Sequence, residues 1–140
     1  MNPEQLLQTI YLGDQACKKV LIDSWNRRVA IQATVISRLR PGAKTWDFYS
    51  DADITDGWLV FSDVDSVRFE PSGPLPNDLI NDISVKPLDS QGGEPAYLFE
   101  ISIGSGSVHA TGKWTEVLVR IEASRLHLED PAKPGVEITS

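Results

Sequence analysis

Apolar side chains return at every second residue along much of this chain, and nothing else in it limits the fold as strongly. In RVAIQATVISRL (28–39) the odd positions Val29, Ile31, Ala33 and Val35 are apolar, while Arg28, Gln32, Thr34 and Arg38 are polar. A period of two sends alternate side chains to opposite faces of a strand, so each such segment predicts one buried and one wet face. CKKVLID (17–23) reads as the hairpin partner of this strand, joined through SWNRR. Tyr97, Phe99, Ile101 and Ile103 repeat the pattern, followed by Val117, Val119 and Ile121, then by Leu126 and Leu128. GSGS (104–107) predicts a glycine-rich turn. The parity slip between Trp114 and Val117 predicts a turn or bulge near TGKW.

Helix signals are sparse. Asn2 suits a cap, Pro3 the first helical position, and Leu6, Leu7 and Ile10 share a helical face. In PNDLINDI, Asn77 would cap a second short helix carrying Leu79, Ile80 and Ile83. The expected fold is therefore mainly β (α+β), an antiparallel curved sheet or barrel-like roll with one or two short helices. A chain of 140 residues is expected to form a single domain, here over 1–128, with the aperiodic segment 129–140 as a loose tail.

A chain of this size buries roughly two-thirds of its unfolded surface, so its fold requires neither metal nor disulfide. Cys17 stands alone, which excludes an internal disulfide, suits a reducing cytoplasm and reads as a small buried hydrophobe. No apolar run approaches the ~20 residues of a membrane span. The N-terminal apolar residues lack the basic region of a secretory signal. The expectation is a cytoplasmic protein without membrane association.

Charge is unevenly distributed within a net of −7. Residues 18–44 hold seven basic side chains against Asp23, a net of +6, and residues 47–94 hold eleven acids against Arg68 and Lys86, a net of −9. Such asymmetry marks either a binding surface or two segments that neutralise each other across neighbouring strands. Net negative charge repels phosphate and argues against a nucleic-acid partner.

The stretch YSDADITDG (49–57) invites a calcium reading. From Asp51, however, Asp56 occupies the position where the loop needs glycine, and Ser62 stands where the closing bidentate glutamate belongs. A turn closed by Gly57 at positive φ is the better expectation. The acids around it still suit a partner-binding surface: Asp47, Asp51, Asp53, Asp56, Asp63 and Asp65 lie among Tyr49, Trp58 and other aromatics. GSGSVHATGK lacks the spacing and the following helix of a phosphate loop. His109 and His127 are expected on wet strand faces, and one cysteine with two histidines shows no zinc spacing. No catalytic residue, metal site or cofactor is assigned.

Tyr11-Leu12-Gly13-Asp14, Trp46 with Tyr49, Asp56-Gly57, Val60-Phe61 and Pro76-Asn77-Asp78 resemble the pattern of a family of small uncharacterised bacterial domains. The resemblance covers roughly residues 11–128. It implies a β-rich fold in a bacterial cytoplasm and no established activity. In size and acidity the chain is also similar to immunity proteins, which neutralise toxins of rival strains. The functional expectation is a binding module, possible relatives in type being these immunity proteins, that presents its acidic segment to a basic protein rather than an enzyme. The alternative is a small-molecule carrier with a pocket inside the sheet, lined by Val29, Ile31, Phe99, Ile101, Val117 and Val119.

Overall fold

A computed structural model describes residues 1–39, 52–89, 92–109 and 112–140. The helix α1 (Pro3–Leu7) is followed by β1 (Ile10–Tyr11), β2 (Cys17–Asp23), β3 (Arg28–Ala33) and β4 (Val35–Arg38). Then come β5 (Ile54–Thr55), β6 (Trp58–Ser62), β7 (Ser66–Glu70), β8 (Ile80–Leu88), β9 (Ala96–Gly106), β10 (Trp114–Ala123) and β11 (Arg125–Glu129). All strand pairs are antiparallel, in sheets ordered β7-β10-β9-β8, β11-β6-β3-β2 and β1-β4-β5. The mainly β expectation holds, as a roll of sheets and not a closed barrel.

The inward rows follow the alternation. Val29, Ile31, Leu59 and Phe61 of one four-stranded sheet and Phe99, Ile101, Ile103, Val117, Val119 and Ile121 of the other are buried in one core. Phe61 and Phe99 meet edge to face between the sheets, ring centroids 4.9 Å apart. That geometry suits the aromatic quadrupole and fills the space between the layers. The six residues considered as pocket lining are thus core side chains.

Two bends turn long ladders into the roll. β3–β4 and β5–β6 keep one register, with Gln32 opposite Trp58 and Val35 opposite Thr55. Between them Asp56 N donates to Thr34 O (2.9 Å) and Ala33 N to Gly57 O (2.9 Å). Asp56-Gly57 is therefore a bend inside a ladder and not the turn expected there. The positive φ (55°) belongs to Asp56, whose short polar side chain tolerates the left-handed region. Gly57 is needed for a different reason: a Cβ there would lie 2.8 Å from Ile36 Cδ1 and 2.9 Å from Ile54 Cγ2. The bend also resets the parity, so that Ile36 is buried in place of the expected Val35.

At the second bend, Asp63–Asp65 face only Ala123 and Ser124 across the β6–β7 and β10–β11 pairs. Asp65 N donates to Glu122 O (2.8 Å) and Ser124 N to Ser62 O (3.2 Å). An extra residue on one strand increases its bend, and Asp63 takes it at φ 53°. Both strands pass together from one sheet to the other.

One helix expectation holds and three others change. The N-terminal helix forms with its capping box: Asn2 Oδ1 accepts from Gln5 N, and Gln5 Oε1 from Asn2 N. The second helix does not form. Residues 80–88 pair along β9, burying Ile80 and half-burying Ile83 and Val85, so strand pairing overrides a weak local signal. Asn77 caps no helix; its Oδ1 accepts from Gly106 N of β9 (3.0 Å). GSGS likewise belongs to strand β9 as far as Gly106. The segment 129–140 folds back, with Leu128 and Ile138 exchanging two backbone hydrogen bonds of 2.9 Å and Ile138 packing against the core.

Candidate functional site

Of the acidic residues singled out from the sequence, three of those described stand in separate ion pairs. Asp47, Tyr49 and Asp51 lie outside the described residues. Asp53 is exposed before β5. Asp56 accepts from Lys18 Nζ at 2.7 Å, Asp63 from Arg125 Nε at 2.9 Å, and Asp65 stands 3.5 Å from Arg27 Nη1. Lys18 and Arg27 belong to the basic segment, so these contacts realise the mutual-neutralisation reading for two acids of the set. Such exposed pairs stabilise little, typically 0–1 kcal/mol, yet each lowers the local field offered to a partner. Trp58 is half-buried on the outer side of its sheet beside Gln32 and Glu129.

His109 is exposed, whereas His127 is buried at 4% exposure despite its outward parity. Its Nε2 lies 2.9 Å from Glu129 Oε1, and Nδ1 lies 3.8 Å from Glu137 Oε1. The wet-face expectation for His127 fails because the C-terminal segment returns beside β11. Among the described residues, no group of three or more His, Cys, Asp or Glu side chains converges as a metal site would. Burial pushes the Cys17 thiol up to about 11, so it behaves as the packed hydrophobe expected.

A groove that the sequence reading missed lies at the open end of the β7-β10-β9-β8 sheet. Gly104 forms its floor, Trp114 and Glu116 one wall, and Asp78, Leu79 and Asn81 the other. Its walls are held by backbone. Asn77 N and Asp78 N both donate to Gly104 O, at 3.1 and 2.9 Å, and Gly104 N returns a bond to Leu79 O at 2.9 Å. Trp114 lies over Gly106, where a Cβ would approach the indole to 2.8 Å. Trp114 is 67% exposed and Leu79 is also exposed. Asp78 Oδ1 accepts from Leu79 N (2.8 Å), and Glu116 Oε1 accepts from the Ser102 hydroxyl. Two oriented carboxylates therefore flank an aromatic face, and among the described residues no lysine or arginine lines the groove. A cation is attracted to the face of an indole as well as to carboxylates, so this wall suits a guanidinium or ammonium group.

The signal for this groove was present but split. Glycines at 104 and 106 share a strand face, and Trp114 and Glu116 share another, but only the pairing of Gly106 with Trp114 and Gly104 with Glu116 joins them.

Over residues 1–140 the sequence matches the model of a family of unknown function, DUF6258. The chain belongs to that family. No curated protein and no solved structure matches it. Family membership agrees with the resemblance to an uncharacterised domain, and no helix among the described residues is long and apolar enough to cross a membrane.

Proposed function

We propose that this member of DUF6258 is a non-enzymatic binding module that takes a basic segment of a protein partner, in the manner of an immunity-like protein. The observation that supports it is the Trp114 groove, an exposed indole on a glycine floor between Asp78 and Glu116. Tryptophans are frequent anchors of protein interfaces. The groove is preferred to the Asp47–Asp65 segment because Asp56, Asp63 and Asp65 already face basic side chains of the same molecule. Electrostatic complementarity would raise the encounter rate and reject acidic partners.

Calorimetric titration with a hexa-arginine peptide, and with hexaglutamate as control, tests this reading at low salt. The expected result is binding of hexa-arginine alone, weakened at least about tenfold by Trp114→Ala, the scale of an interface anchor. The combined Asp53→Asn, Asp56→Asn, Asp63→Asn variant should bind like the parent, since asparagine keeps the left-handed positions 56 and 63. Equal binding by the Trp114→Ala protein overturns the groove, and loss in the triple variant instead moves the contact to the acidic segment.

A further inference from the structure

Among the described residues β2 is an edge strand, paired with β3 on one side only beyond its first residues. Edges of this kind are normally blunted, because unpaired backbone groups template pairing with another chain. Here Leu21 is 52% and Ile22 51% exposed, on opposite faces of the strand. The register with β3 slips between Cys17 and Lys19, so the regular edge runs from Lys19 to Asp23 and has Leu21 at its centre.

We infer that β2 pairs antiparallel with β2 of a second copy of the chain, about a two-fold axis at Leu21, joining two four-stranded sheets into one of eight strands. A two-fold axis perpendicular to a sheet keeps each side chain on its own face, so the interface is isologous. Full overlap of the regular edge places Lys19 opposite Asp23 of the second copy, twice, with Leu21 against Leu21 between them on one face. On the other face Val20 meets Ile22, twice. Opposite charges and apolar pairs directly across from each other favour pairing. An axis one residue earlier sets Lys19 against Leu21, and one residue later sets Leu21 against Asp23, so charge complementarity selects the register centred on Leu21. Lys19 makes no ion pair among the described residues, and the exposed Asp23 carboxylate keeps its charge, held below the usual carboxylate range by hydrogen bonds from Asn26. This inference is independent of the Trp114 groove, which lies on the other sheet.

Sedimentation over a concentration series tests it with the full chain. The parent should sediment at twice the monomer mass of 15.5 kDa, and Leu21→Lys, at an exposed position, should sediment as a folded monomer with an unchanged circular dichroism spectrum. A second measurement reads the register. Under mild oxidation Leu21→Cys should form a disulfide-linked dimer, because directly opposite residues have Cα atoms ~4.5–5.5 Å apart, within disulfide reach. Lys19→Cys should not, since its counterpart across the axis is Asp23, and the native Cys17 is buried. A parent that stays monomeric at millimolar concentration, or a Leu21→Lys protein that still dimerises, overturns the inference. Faster cross-linking at position 19 than at position 21 overturns the register.

Discussion

Arg120 and Val60 occupy equivalent places, each pointing away from the core from a central strand of its four-stranded sheet. Arg120 lies half-exposed in a network, with Nε donating to Glu100 at 3.2 Å and Nη1 to Glu70 at 3.1 Å. Val60 is 2% exposed, and its outward neighbours Gln32, Ser62 and His127 are buried too. One sheet therefore has an inner apolar and an outer wet face, and the other is also covered on its outer side around Val60 and His127. Period-two alternation reports the orientation of a side chain and says nothing about what lies beyond it. His127 was assigned to solvent by its parity alone, and the returning C-terminal segment reverses that assignment.

A charge placed on the two outer faces should separate them most strongly. Val60→Lys buries an unpaired ammonium and is expected to destabilise by more than about 3 kcal/mol in urea melts. Leu118→Lys, opposite Glu70 on the wet face, should cost less than about 1 kcal/mol. Equal costs would remove the distinction between the sheets.

The bend between β3 and β4 supplies a second contrast. Gly57→Ala forces the buried Ile36 and Ile54 to move and should cost about 1–3 kcal/mol. Asp56→Asn, one residue away, should change stability by less than about 0.5 kcal/mol, because asparagine keeps both the left-handed backbone and an acceptor oxygen. Thermal melts of the two variants measure the difference, and a larger effect at 56 would show that the strain sits at the wrong residue.

The histidines sharpen the comparison at lower amplitude. His127→Ala removes the buried contact with Glu129 and should cost about 1–2 kcal/mol, whereas His109→Ala should stay within about 0.5 kcal/mol. Chemical denaturation of both variants would detect the reverse order, which would restore His127 to solvent.

The smallest effect concerns pH at the hairpin that ends β2. Asn26 donates to Asp23 from its side chain and its backbone, and with Arg28 nearby the Asp23 carboxyl is held below its ordinary value. A depressed folded-state pKa lends stability that is present above the unfolded value of about 3.9 and is lost as pH falls through the folded one. Replacing Asp23 by Ala should flatten the acid limb of the melting curve below about pH 4 while leaving the neutral region nearly parallel. A steeper acid limb in the variant would contradict the sign.

The strand rows Val29–Ile31, Phe99–Ile103 and Val117–Ile121, the hairpin of β2 with β3 and the capped N-terminal helix were legible because each follows from neighbours two to four residues apart. Backbone direction and apolar burial are local demands, and a pattern of that range records them. The second helix was misread because Asn77 is a capping residue by type, whereas its partner, Gly106, lies 29 residues away in the chain. Likewise Gly57 announced a constraint on the backbone, but the cause is the room taken by Ile36 and Ile54. The groove escaped because Gly104 and Gly106 meet Trp114 and Glu116 only once β9 is in register with β10. The acidic segment reads as one surface because charge can be added up along a sequence, whereas its field depends on which cations the fold sets beside each carboxylate, 2.7–3.5 Å away at Asp56, Asp63 and Asp65. Sequence alone determined the strands that alternate without interruption and which way they face; the tertiary structure decided the strand at 80–88, the parity after the bend at Asp56-Gly57 and what covers each face, because burial and pairing depend on distances that chain separation does not encode.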